Sequence, residues 1–352
     1  MIKLVQLTEA IDADSHEELG YYCYSPSWYR LCEKIFHYKL VRYSILRDET
    51  HIGKFSYVVL KSKIFGNRMI SMPFSDSGGI YLNNGISISH NEEREIIQRL
   101  IGLLDKEAVK SKIAYAELRG VGSLLSGKNI DGKFLKASPY VSFTINTKLG
   151  YGSIREKYNI CLIRNLRKAD KFVEVSVGDG LDVLLEIYRI YLVQMRKFGS
   201  PPLPIEYFSE LLKNKLAMIF LAKIRNKIVA FLLVFTFNNS MYADINASLP
   251  EYDSFFPKMK LYATSIRFAC HNNYTAYDFM RTRDKSGVYL HKLQWGGREE
   301  RIYYFYRLYN KKNILNIDPE LGIFRLPRSI LRITPLAALK AIGPKLRSEI
   351  GK

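Results

Sequence analysis

The residues best suited to chemistry crowd into one stretch, YDFMRTRDKSGVYLHKLQWGGREE, from Tyr277 to Glu300. Asp278 alternates with Tyr277 and Phe279 on a strand candidate, where a carboxylate can orient an amine or take its proton, or simply face solvent. Arg281 follows at the carboxyl end of that strand. Its fork of donors suits a phosphate or carboxylate, and the plain alternative is an ion pair with Asp278. Lys292 offers a cation to an oxyanion developing on a transferred acyl group, or to an anionic donor, against the alternative of a surface lysine on a strand. Lys292, Asp278 and Arg281 are the catalytic candidates in this stretch.

Other chemistries find little support. His16, His37, His51, His90, His271 and His291 lack paired metal-ligand spacing, and no GxSxG elbow is present, so zinc and serine-hydrolase readings are set aside. Cys23, Cys32, Cys161 and Cys270 are scattered with no CxxC pair, which argues against a disulfide framework and for a reducing compartment, the cytoplasm. Gly120, Gly122 and Ser123 are read as a tight turn rather than a phosphate nest. The small polar loop Ser75–Gly79, with Asp76 in it, has the composition of a ligand-facing segment. From Arg155 to Lys171 a basic helix is expected. Its Arg164, Arg167 and Lys168 can hold RNA or lipid phosphate, or can be only a solvated face.

The elements that must position these residues follow from periodicity. A helix is expected from Ser27 to Phe36, a hairpin from Val41–Arg47 and Gly53–Lys63, and a third strand from Arg68 to Phe74. A long amphipathic helix over Glu92–Lys112 precedes strands at Ala114–Arg119 and Tyr140–Asn146. After the basic helix come helices at Leu181–Phe198 and up to about Lys213, with Pro201, Pro202 and Pro204 between them. Ala217–Ile224, Lys227–Phe237 and Ser240–Ala247 form an antiparallel meander with turns at Arg225-Asn226 and Asn238-Asn239. A helix at Lys258–His271 and strands at Ala276–Met280 and Arg301–Tyr309 close the pattern.

A chain of 352 residues supports two domains, and 47% hydrophobic with 25% charged residues is a globular balance. The boundaries expected are 1–149, 150–310 and a basic tail, 311–352. In the tail, Arg325, Arg328, Arg332, Lys340, Lys345 and Arg347 lie among leucines and isoleucines. That composition suits an amphipathic membrane-surface segment, whereas Pro327, Pro335 and Pro344 suit a loosely docked one. A net charge of +19 favours anionic partners. The longest apolar stretch, Ile228–Phe237, is too short to span a bilayer, so a cytoplasmic protein, peripheral at most, is expected.

Element order resembles the GNAT fold, and the residues sharpen this. Tyr277–Glu300 resembles the stretch in FemAB-like proteins where Asp, Phe, Gly, Arg, Ser precede a glycine, an aromatic, a lysine and Trp-Gly. KSKIFGNRMISMPFSDSGGIY (Lys61–Tyr81), NLRKADKFVEV (Asn165–Val175) and YLVQMRKFGSPPLPIEYFSEL (Tyr191–Leu211) resemble the same family in the same order. The resemblance implies an α+β protein of two tandem GNAT-like domains, each a mixed, largely antiparallel sheet flanked by helices. It also implies acyl or aminoacyl transfer to an amine of a cell-envelope, polysaccharide or peptide precursor. Thr282, Gly287, Tyr289 and Trp295, with Tyr242 on the meander and Asp76, Arg164, Arg167 and Lys168, are the expected substrate contacts.

The departures from the family pattern are Met280 for a glycine, Asp284-Lys285 for a Pro-Gly-like turn, and His291 for an aromatic. The long helical arm of some tRNA-using relatives has no room here, and no pyrophosphate loop of the coenzyme A kind lies between Ala247 and Lys258. No tightly bound cofactor, no metal and no DNA partner are expected. The donor, aminoacyl-tRNA or acyl-CoA, is a co-substrate, and phosphorylated lipid or sugar precursors are the other anionic partners. The rival class is a non-catalytic module binding RNA or another anionic polymer.

Overall fold

The computed structural model describes residues 1–7, 21–62, 65–83, 85–120, 132, 134–178, 180–310 and 325–351. They form two compact units. Unit 1 is Met1–Pro139 with Ile302–Asn316 and Ser348–Lys352, and unit 2 is Tyr140–Arg301 with Ile317–Arg347. The division therefore falls at Pro139/Tyr140 rather than at 149/150, and the chain returns to unit 1 at Ile302. Of the described residues beyond 310, Arg325–Arg347 belong to unit 2 and Ser348–Gly351 to unit 1. Gly120, described at the end of its strand, bridges to Ser77, whereas Gly122 and Ser123 lie outside the described residues.

Unit 1 contains β1 (Ile2–Gln6), α1 (Pro26–Phe36), β2 (Leu40–Arg47), β3 (Thr50–Leu60), β4 (Arg68–Ile70), β5 (Tyr81–Leu82), α2 (His90–Ser111) and β6 (Tyr115–Arg119). Its sheet runs β1–β2–β3–β4–β6, with β5 also on β3, and Tyr304–Leu308 pair antiparallel to β6. Local chemistry sets the ends of these elements. Ser25 caps α1 by accepting from Trp28 N–H at 3.2 Å, with Pro26 at the first helical position. Ser89 and Glu92 form a capping box on α2. Asp48 and Glu49, both left-handed, close the β2–β3 hairpin as a two-residue turn. Ile96, Leu100 and Leu104 of α2 pack on Ile45, Phe55 and Met69 of the sheet. The strand β1 lay outside the sequence expectations.

Unit 2 contains β7 (Leu135–Asn146, from Tyr140 on), α3 (Tyr151–Glu156), α4 (Ile160–Ala169), β8 (Glu174–Gly178), α5 (Leu184–Phe198), α6 (Ile205–Lys213), β9 (Ala217–Ile224), β10 (Lys227–Phe237) and β11 (Ser240–Ser248). It continues with α7 (Pro257–His271), β12 (Ala276–Asp278), β13 (Thr282–Arg283), α8 (Gly287–Leu293), the start of β14 (Arg298–Leu308), α9 (Arg325–Ile333) and α10 (Leu336–Ile350, of which Leu336–Arg347 belong here). Its sheet runs β8–β9–β10–β11–β12–β7, with β13 on β7, and is antiparallel except for the parallel pair β11–β12. Arg225-Asn226 and Asn238-Asn239 are left-handed at both positions, the geometry a two-residue hairpin loop needs.

The single basic helix expected over Arg155–Lys171 is two helices. Asn159 caps the second by accepting from Cys161 N–H at 2.8 Å, which interrupts the first. Leu162, Leu166 and Ala169 of α4 face a core shared with α7 and the sheet.

The two units repeat one layout, in which a strand, a helix and a second strand parallel to the first lie in sequence. In unit 1 these are β4, α2 and β6, and in unit 2 they are β11, α7 and β12. The expected α+β class, in two units that share this layout, is the architecture observed. Among the described residues no helix is long and apolar enough to cross a membrane, and no group of His, Cys, Asp and Glu side chains is arranged to hold a metal ion.

Candidate active site

In unit 2 the parallel strands β11 and β12 pair over only Ser240↔Ala276, Met241↔Tyr277 and Tyr242↔Asp278. Beyond that point β11 keeps β10 on one side, while Phe279 donates its N–H to Phe143 O on β7 at 2.9 Å. The register of β11 on β10 also slips here. Ala243 faces Val234 and Ile245 faces Leu233, so Asp244 is the extra residue of a β-bulge. A bulge beside a parting pair of strands locally re-aims side chains, which makes this the candidate site of the unit.

The motif of residues 277–300 folds around the end of β12. Asp278 is buried and does not face solvent: its Oδ1 accepts from Ser142 Oγ at 2.6 Å and from Met280 N–H at 2.7 Å. Lys292 is neither on a strand nor on the surface. It sits on α8 at 5% exposure, and its Nζ donates to Met280 O at 2.9 Å and Arg281 O at 3.1 Å. A buried ammonium is tolerable when its protons are taken up in this way, and here they fix the peptide after β12. Arg281 lays its guanidinium over the Tyr140 ring, 5.3 Å from the centroid. Thr282 Oγ1 lies 3.5 Å from Ser286 Oγ, and Ser286 caps α8 through Tyr289 N–H at 3.2 Å. Asp278, Arg281, Thr282 and Lys292 thus converge on one turn, with Tyr242 in register with Asp278.

Two departures from the family pattern acquire a physical reason. Met280 (φ 59°) and Lys285 (φ 58°) are both left-handed, the conformation glycine adopts without steric cost. Gly287, by contrast, has open space where a Cβ would stand, so nothing in its surroundings demands glycine.

The third departure, His291, keeps a ring where an aromatic was expected. It packs 5.7 Å from Tyr262 and 6.1 Å from Trp295 between ring centroids. Burial, then the charges of Lys258 and Lys292, push its pKa down to about 4, so it is neutral near pH 7. Tyr262, on α7, accepts from Asn246 Nδ2 of β11 at 2.8 Å. Its hydroxyl pKa is raised by burial and further by the charge of Asp244. Trp295 is fully buried against Tyr158, Tyr262 and Phe279, and among the described residues its Nε1 has no hydrogen-bond partner. Asp244, Asn246, Lys258 and Tyr262 were not singled out in the sequence. Only a bulge and a helix crossing bring them beside His291, and neither has a local signature.

The remaining expected contacts are placed as follows. Tyr289 donates to Glu299 Oε2 at 2.9 Å and packs on Phe143. Arg164, Arg167 and Lys168 are exposed on α4, Lys168 near the rings of Phe255 and Phe256. Asp76 belongs to unit 1, where it is buried in the loop after β4.

Residues 162–292, all within unit 2, match the family model described as acetyltransferase (GNAT) domain. The strand parting and bulge lie within the matched residues. In overall fold the chain is similar to the crystal structure of FemX, at 15% identity over 88% of this chain and 98% of that one, with a TM-score of 0.58. It is also similar to a conserved protein of unknown function from Bacteroides thetaiotaomicron, at 14% identity over 80% and 90% of the two chains, TM-score 0.51. The FemAB-like resemblance thus holds at the level of fold. No curated protein matches the chain in sequence.

Proposed function

We propose that this protein transfers an acyl or aminoacyl group to an amine of a cell-envelope, polysaccharide or peptide precursor. The observation that carries the reading is the GNAT match over residues 162–292, within which β11 and β12 part beside the Asp244 bulge. The amine attacks the acyl carbonyl, the new C–N bond forms as the bond to the donor's leaving atom breaks, and the amine's proton must go to a base. Asp278 already accepts two hydrogen bonds that hold the turn after β12. Asp244, at the bulge, is the carboxylate better suited to receive that proton. Lys292 then acts as a positioning residue, holding the 280–281 peptide through its carbonyls.

Coenzyme A is the less favoured donor. Its pyrophosphate would need free N–H groups at the start of α7. There Pro257 occupies the first position and lacks one, and Glu251 and Asp253 precede it. Asp253 itself accepts from Ser248 Oγ and pairs with Lys197 at 3.4 Å. An aminoacyl-tRNA or another activated acyl donor is preferred.

The acceptor's location is suggested by α9. Leu326, Ile330 and Ile333, at helical spacing, are 71%, 53% and 83% exposed, while Leu331 anchors the other face. From Arg325 to Ser348 there are six Lys and Arg residues and no Asp or Glu. An apolar stripe inside a wholly cationic segment is complementary to an anionic lipid surface, where lipid-linked precursors reside.

Incubating the protein with pooled aminoacyl-tRNAs, acyl-CoAs and amine-bearing envelope precursors, followed by mass spectrometry, tests the reading. A donor-dependent mass shift on an acceptor supports it and names the donor class. Retained RNA or lipid binding without any adduct transfers the case to an anionic-polymer binder.

A further inference from the structure

Unit 1 has its own parting of parallel strands. β4 and β6 pair at Arg68↔Tyr115, Met69↔Ala116 and Ile70↔Glu117, and the chain then turns through residues 71–79 with Met72 and Phe74 left-handed. Two fully buried guanidinium groups, those of Arg68 and Arg119, stand beside this point. Arg119 is accounted for by the fold. Its Nε pairs with Glu117 Oε1 at 3.0 Å, and its Nη1 donates to Met72 O at 3.0 Å and Ser75 O at 2.5 Å, which fixes the loop.

Arg68 is different. Among the described residues it has no carboxylate partner, and its Nε, buried, has no acceptor. What it does hold is the segment Ser348–Gly351. Its Nη2 donates to Glu349 O and its Nη1 to Ile350 O at 3.5 Å, while Arg119 Nη2 donates to Gly351 O at 3.3 Å. Ser62 Oγ donates to Glu349 Oε2 at 2.8 Å, and Tyr38 Oη to Ser348 O at 2.5 Å. Three consecutive carbonyls are thus taken up by two buried cations. Neutral carbonyls are weak partners for a buried guanidinium, and a charged oxygen pair matches its fork far better.

We propose that the parting of β4 and β6 is a binding site for an oxyanion-bearing ligand, a carboxylate or a phosphate, gripped by Arg68 with help from Arg119. The segment Ser348–Gly351 is its built-in occupant, which a ligand displaces. The site is separate from the transfer site of unit 2, and it stands or falls independently of the reading of that site.

The test uses the full chain. Gly351 is left-handed (φ 70°), and a Cβ there would lie 2.4 Å from Leu60 Cδ1, so Gly351→Val expels the segment without touching either arginine. Hydrogen exchange over residues 348–351 verifies release, and calorimetric titration with inorganic phosphate and, separately, with succinate reads binding. Gly351→Val is expected to bind one of the two at least tenfold more tightly than wild type, and adding Arg68→Met is expected to return binding to the wild-type level. A gain for phosphate alone identifies a phosphate ligand, and a gain for succinate alone a carboxylate. Equal or absent binding in folded wild type and Gly351→Val overturns the proposal. If Gly351→Val does not fold, the Tyr38→Phe/Ser62→Ala variant removes two of the segment's hydrogen bonds without adding bulk. It is expected to gain at least threefold, and no gain there overturns the proposal equally.

Discussion

Replacing Lys292 by methionine keeps the unbranched apolar stem of the side chain and removes its ammonium. The carbonyls of Met280 and Arg281, which Nζ reaches at 2.9 and 3.1 Å in a side chain only 5% exposed, then lose a buried donor. An orphaned buried polar group costs about 1–3 kcal/mol, and part of the two costs is offset because a buried charge is no longer desolvated. A net loss of about 2–4 kcal/mol follows, which for a unit of this size lowers Tm by roughly 5–15 °C. Thermal melting by circular dichroism measures it, with turnover of the acceptor found by mass spectrometry measured in parallel. Lys292→Met should lose stability and transfer together, and Lys292→Arg should recover part of both, since it restores donors to the same carbonyls. A Lys292→Met protein that melts with wild type but no longer transfers would refute the positioning role, because the ammonium would then be acting on the reacting group itself.

Three further outcomes follow from the same region and from α9. His291, held neutral with a pKa of about 4 against 6.5 in the unfolded chain, makes the unfolded state bind the extra proton. Its contribution is complete above about pH 6.5 and is lost as pH falls toward 4, about 3 kcal/mol in all; His291→Phe should flatten urea-melt stability across that window, and an unchanged slope would be inconsistent with this account. Lys285→Gly, at an exposed left-handed position, should stabilise by about 0.5–1 kcal/mol in chemical denaturation, the relief of the left-handed cost minus glycine's entropy. Ile330→Glu should cut sedimentation with phosphatidylglycerol vesicles at least fivefold without changing the melt, and residual wild-type binding should weaken as salt rises; identical binding by the variant would remove α9 from the interface.

Much of this protein is written locally. The meander of β9, β10 and β11 was visible because apolar runs end at Arg225-Asn226 and Asn238-Asn239, which adopt the left-handed pair that a two-residue turn requires. The long helix α2 was visible because its apolar stripe repeats at helical spacing over Glu92–Lys112, and the Ser89–Glu92 cap fixes its start. The motif of residues 277–300 gathers around the turn after β12, and its departures at Met280 and Lys285 fall on two positions where the backbone is left-handed.

What the sequence left open was decided by contacts between distant residues. β8, short and mostly exposed, alternates over only Glu174–Val177 and becomes a strand because β9 offers it an edge. The boundary moved to Tyr140 because the end of β7 pairs with β12 and β13, more than a hundred residues later. Lys292 could be chosen from its motif, but the direction of its ammonium depends on where α8 lies against the end of β12. Asp244 became a bulge only through its register on β10, and Arg68 was paired with a segment about 280 residues away. Side-chain type and spacing fix which groups are available and which local turns form; which of those groups meet is set by strand register and helix crossing, and these exist only once the chain has closed on itself.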